Sequence, residues 1–118
     1  MTKSFKHPRG YDCRILKGHY FNAAGDGPGR VALRLEDWND GSPVATITVN
    51  LPEAKLDEEH EVCVKDWSEN EGILDAIIAA GFAKDTGRRV ATGHVEAAVV
   101  RIDYEALSEY LTPAGEHL

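Results

Sequence analysis

The stretch VALRLEDWNDGSPVATITVNL, residues 31–51, decides the fold. Val31, Leu33 and Leu35 alternate with Ala32, Arg34 and Glu36, the period-2 pattern of a strand with one buried face. Asn39-Asp40-Gly41 supplies a tight-turn signal. Ala45, Ile47, Val49 and Leu51 then resume the alternation against Thr46, Thr48 and Asn50. The two runs predict a β-hairpin that closes at Pro52.

Working outward, residues 11–21 favour a strand, with Gly18 marking a bulge or bend and Ile15, Leu16, Tyr20 and Phe21 available for burial. Residues 22–29 hold Gly25, Gly27, Pro28 and Gly29 and read as a turn or loop. Beyond Pro52 come an acidic connection over 53–61 and a short strand around Val62 and Val64. A helix follows: Ser68 with Glu71 three residues on forms a capping box, and Ile73, Leu74, Ile77 and Ile78 make one apolar stripe that Gly81 ends in a left-handed conformation. Thr86-Gly87 marks a turn, residues 95–102 a strand, and Asp103 caps a short last helix through Leu111, ended by Pro113. The sum is an α+β domain: an antiparallel sheet of about five strands, one main helix packed on one face and a short C-terminal helix. Residues 1–10 read as a basic flexible lead-in, 11–112 as the single domain and 113–118 as a tail.

Composition bounds what such a domain does. In 118 residues, 13 Lys and Arg oppose 20 Asp and Glu, a formal charge of −7, while 42% hydrophobic residues are enough for a core without metal or disulfide staples. The acidity weighs against a sequence-tolerant nucleic-acid binder, whose affinity comes from Lys and Arg on phosphates. Cys13 and Cys63 form no C-x-x-C and suit buried apolar positions in a reducing cytosol; no stretch approaches the ~20 apolar residues of a membrane span. A cytoplasmic location, in whatever cell makes the protein, is expected.

The short motifs fall to simpler explanations. The Gly25-Asp26-Gly27-Pro28-Gly29-Arg30 run lacks the P-loop spacing and its lysine. Asp37-Trp38-Asn39-Asp40-Gly41 places its glycine one position early for a calcium loop and has Thr48 where the bidentate Glu belongs. His60 and Cys63 share a zinc-like H-x-x-C spacing, but Cys13, His19 and His94 give no second close pair. His94 stands near no recognisable nucleophile. No catalytic, cofactor-binding or metal-binding residue is assigned. Trp38 reads as a cover for the core edge or as a partner anchor.

The placement of charge is the strongest signal. Between Glu53 and Asp75 lie nine acids and only Lys55 and Lys65, so the whole net charge is local, whereas residues 1–34 carry a net +5. Such a run favours fast, selective docking on a basic surface. Asp57, Glu58, Glu59, Glu61, Asp66, Glu69 and Glu71 are the candidate partner-binding residues.

Three stretches carry a resemblance: Pro43-Val44-Ala45-Thr46-Ile47-Thr48-Val49-Asn50-Leu51-Pro52, then Val64-Lys65-Asp66-Trp67-Ser68-Glu69-Asn70-Glu71-Gly72, then Thr86-Gly87-Arg88 with Thr92-Gly93-His94-Val95. Together they resemble a family of small, uncharacterised domain-of-unknown-function proteins of phages, plasmids and other bacterial mobile elements. The resemblance implies an accessory gene and no catalytic residues. The function expected is a non-enzymatic inhibitor of a bacterial defence complex, of the anti-CRISPR type. Its partner would be a bacterial protein or ribonucleoprotein with a basic surface, without direct nucleic-acid or membrane binding and with a homodimer as an option. The alternatives are a nucleotide-binding or sequestering protein using Arg88, Arg89 and the Gly25 loop, and a structural self-associating accessory protein.

Overall fold

The expected hairpin forms. In a computed structural model that describes residues 2–21 and 29–111, β3 (Val31–Asp37) pairs with β4 (Pro43–Thr46), Arg34 opposite Thr46 and Leu35 opposite Ala45. The turn consumes its own acids. Asp37 Oδ1 accepts from the Asn39 and Asp40 amides at 2.8 and 3.3 Å, Asp40 Oδ1 accepts from the Ser42 amide and hydroxyl, and Gly41 takes φ 75°. These are the local side-chain bonds that make Asp a turn residue. Of the loop expected over 22–29, residues 22–28 lie outside the described residues, and so does the tail over 113–118.

The single five-strand sheet is corrected to two antiparallel sheets. β1 (Phe5–Lys6), β2 (Asp12–His19), β3 and β4 make the first, in that order; β5 (Glu61–Val64), β7 (Val95–Ile102) and β6 (Ala83–Thr92) make the second. Residues 47–49 stitch the sheets together. The Ile47 amide donates to Leu33 O, the Lys65 amide to Ile47 O and the Val49 amide to Cys63 O. β4 is therefore shorter than the alternation suggested, because its continuation leaves β3 to bridge β5 through Thr48 and Val64. Gly18 makes no bulge and pairs in register with Ala32.

Two strands were hidden in the sequence. β6 runs through Thr86-Gly87, which forms an irregularity inside the strand and not a turn, with Gly87 at φ 84°. β1 occupies the expected lead-in: Phe5 is buried and packs with Phe82 and Tyr110, ring centroids 5.5–6.4 Å apart, in the main core.

The main helix is also shorter than expected. Helix α1 (Ile73–Ala79) buries Ile73 and Ile77, but Ile78 is 38% exposed and falls off the stripe. The Ser68–Glu71 capping box does not form; Ser68 heads a 3-10 turn, Ser68–Asn70, with no side-chain cap on it. Asp66 caps instead, its Oδ1 accepting from the Gly72 and Leu74 amides at 3.1 and 3.0 Å. Asp103 caps α2 (Tyr104–Ser108) through the Ala106 amide as the sequence indicated.

A buried polar bridge ties these parts together. His7 and Asn70 are both essentially inaccessible. Asn70 Nδ2 donates to Thr46 O at 2.6 Å, so Asn70 Oδ1 faces His7 Nε2 at 3.2 Å, and the Arg9 amide donates to His7 Nδ1 at 3.1 Å. That chain assigns a neutral ring with its proton on Nε2.

Alternate residues of β5 serve two cores. Val62 and Val64 join the main core with Ile15, Leu33, Leu35, Ile73 and Ile77. Cys63 joins a smaller one with Ala54, Ala97 and Val99, covered by Val49, Leu51, Leu56 and Trp67. The connection over 50–60 thus lies on the second face of the sheet and presents the acidic run there.

Candidate functional site: an acidic turn held by arginines

The seven candidate carboxylates fall into two groups at opposite ends of β5. The three residue steps of β5 set those ends about 10 Å apart. Asp66, Glu69 and Glu71 sit beside the start of α1. Asp66 is occupied as its cap, and Glu69 lies 2.5 Å from the Lys65 ammonium, whose hydrogen bond holds its carboxyl down to about 2. Glu71 is exposed and has no side-chain partner among the described residues.

Asp57, Glu58, Glu59 and Glu61 form the other group, on a turn that closes on itself. The Glu61 amide donates to Asp57 O at 2.7 Å, and the Asp57 amide donates to Glu61 Oε1 at 2.9 Å. Asp57 Oδ1 accepts from the Glu59 amide at 3.3 Å, and Oδ2 lies 3.1 Å from His60 Nδ1 and 3.4 Å from the Arg101 guanidinium. The His60 and Glu59 bonds and Arg101 hold the Asp57 carboxyl below its ordinary value. Glu61 is held down too, first by the Asp57 amide and then by Arg88.

Cations from distant positions meet this turn. Arg30 donates from Nε to Glu58 at 2.7 Å, from Nη1 to Leu51 O at 2.7 Å and from Nη2 to Ala54 O at 2.5 Å. Its side chain is only 16% exposed. Arg88 donates to Lys55 O at 2.9 Å and to Glu61. The local backbone delivers Arg30: a Cβ at Gly29 would stand 2.2 Å from Tyr20 O, so only glycine lets the chain pass there, and the Tyr20 amide donates to Arg30 O.

Three of the four turn carboxylates therefore have an arginine within ion-pair distance, Asp57 with Arg101, Glu58 with Arg30 and Glu61 with Arg88. The −7 read along the sequence is not a bare −7 in space. Glu59 at the turn, and Glu53 before it, are exposed with no side-chain partner among the described residues. Sequence reasoning named Arg88 only as a phosphate contact and Arg30 only in the Gly25 run, and missed their contacts with the acidic run because these span 27 and 28 positions, with no local signal.

The remaining candidates are placed as follows. Trp38 is half-buried, with the Arg14 guanidinium 4.3 Å from its ring centroid. Arg89 pairs with Asp85, and His94 is exposed in the β6–β7 turn. Cys13 and Cys63 are free, buried thiols; desolvation pushes Cys13 up to about 11 and raises Cys63. Among the described residues, no three His, Cys, Asp or Glu side chains gather as a metal site would need, and no helix is long and apolar enough to cross a membrane. The chain matches no family model, no curated protein and no solved structure.

Proposed function

We propose that the protein is a non-enzymatic binding protein whose acidic turn over 57–61 docks on a basic surface of a bacterial protein or ribonucleoprotein. In this reading it serves a phage or other mobile element by occupying that surface on a host defence complex, as an anti-CRISPR inhibitor does. One observation carries the reading. The Glu59 side chain, without a partner among the described residues, projects from a turn whose other carboxylates are fixed by arginines, so a charged tip is presented on an ordered frame. Ordering before binding lowers the entropy cost of association.

The frame also dictates the test. Reversing Asp57, Glu58 or Glu61 would break the turn itself, whereas the Glu53 and Glu59 side chains have no partner among the described residues. The double variant Glu53→Lys, Glu59→Lys should keep the wild-type melting temperature and lose inhibition in a cell whose defence the wild type blocks. Full inhibition by that variant sinks the proposal.

A further inference from the structure

We infer that residues 2–11 act as a strap, hinged at Gly10 and latched by His7, which opens and closes as a unit while the two sheets stay intact. The attachment is slender. β1 pairs with β2 at two positions, Phe5–Cys13 and Lys6–Asp12, and the chain turns back through Gly10 at φ 97°, a conformation glycine enters and leaves without steric cost. At its start the strap is held by the Lys3 amide on Glu109 O and by an ion pair whose side chains are both more than half exposed. Such a pair adds little.

Two buried groups carry the rest. Phe5 inserts beside Phe82 and Tyr110, and His7 Nε2 meets Asn70 Oδ1 at 3.2 Å. The body keeps its own contacts without either: Phe82 and Tyr110 pack on each other with centroids 5.5 Å apart, Asn70 Nδ2 holds Thr46 O, and β2 stays paired with β3 from Cys13–Asp37 to His19–Val31. The seat that the strap leaves is therefore already built. It offers two rings and an amide oxygen to an aromatic and a donor two residues apart, the spacing that places side chains on one face of a strand.

One thiol reports the opening. Cys13, opposite Phe5, is fully buried; its Sγ lies 3.6 Å from Tyr11 O, and desolvation holds it up to about 11. Opening makes β2 the edge of its sheet and returns the thiol towards its ordinary range of about 8.5. A local opening of this kind exposes little surface and global unfolding much, so the two respond to denaturant with different slopes.

The test follows Cys13 alkylation by iodoacetamide near pH 8, read on the full chain by peptide mass spectrometry, beside hydrogen exchange in β7, which is paired on both sides by β5 and β6. In the wild type, Cys13 labelling should depend less on denaturant than β7 exchange does. Val99→Ala empties part of the second core, which contains no strap residue, and should speed β7 exchange several-fold with Cys13 labelling unchanged. His7→Phe removes the donor to Asn70 and should speed Cys13 labelling about fivefold or more. Equal denaturant slopes in the wild type, equal acceleration of both readings by Val99→Ala, or unchanged Cys13 labelling in His7→Phe overturns the inference.

Discussion

The two faces of β5 are covered by different materials. Val62 and Val64 look into a core of aliphatic and aromatic side chains supplied by both sheets and α1, where contact is general and non-directional. Cys63 looks out onto a smaller core under a connection with little regular structure, fixed by guanidinium bonds to named carbonyls and carboxylates. The first face sets whether the protein folds. The second sets what it displays, and its order depends on a few directional, charge-assisted contacts.

Three perturbations would break or sharpen that contrast. The largest acts on the inner face: Phe82→Ala empties a fully buried site in the Phe5–Tyr110 cluster and should cost about 3–5 kcal/mol in denaturant melts. A cost under about 1 kcal/mol would mean the core is not the dominant support. Next is the buried His7–Asn70 bridge. Asn70→Ala strands the buried His7 Nε2 and the part-buried Thr46 O, for about 1–3 kcal/mol, and adding His7→Phe should recover part of that by removing one orphaned group. Strict additivity of the two changes would contradict the coupling drawn between them.

The smallest effect is acid loosening of the outer face alone. Asp57, Glu61, Glu69 and Asp85 all have folded carboxyls held below their unfolded values. Their contribution is complete above the unfolded range near pH 4 and is lost as pH falls through the folded values, towards about 2 for Glu69. Trp67, which packs on the outer core, should therefore change its emission between about pH 4 and 2 in a Trp38→Phe background, ahead of global unfolding. Coincident transitions would show that the two faces are one cooperative unit.

What the sequence revealed follows the same division. The alternation in 31–51 showed the hairpin because burial on one face writes itself every second residue. It overran β4 because the pattern continues while the strand changes partner at Ile47, from Leu33 to Lys65. β1 was illegible since two residues make no period, and β6 since its residues from Lys84 to Arg89 are all exposed and so carry no apolar signature. In the acidic run the signs of the charges were plain, but their compensation was not. An arginine 28 positions away leaves no mark on the segment it restrains.

One contact has a consequence in time. The Lys3 amide donates to Glu109 O at 2.7 Å, and the Lys3 ammonium lies 3.0 Å from the Glu109 carboxylate. Tyr110, one residue further on, closes the aromatic cluster around Phe5. A ribosome adds roughly 5–20 residues per second, so the strand at Phe5 waits on the order of 5–20 seconds after its own synthesis for its docking site to exist. For that interval the Phe5 ring lacks the Tyr110 edge of its aromatic cluster.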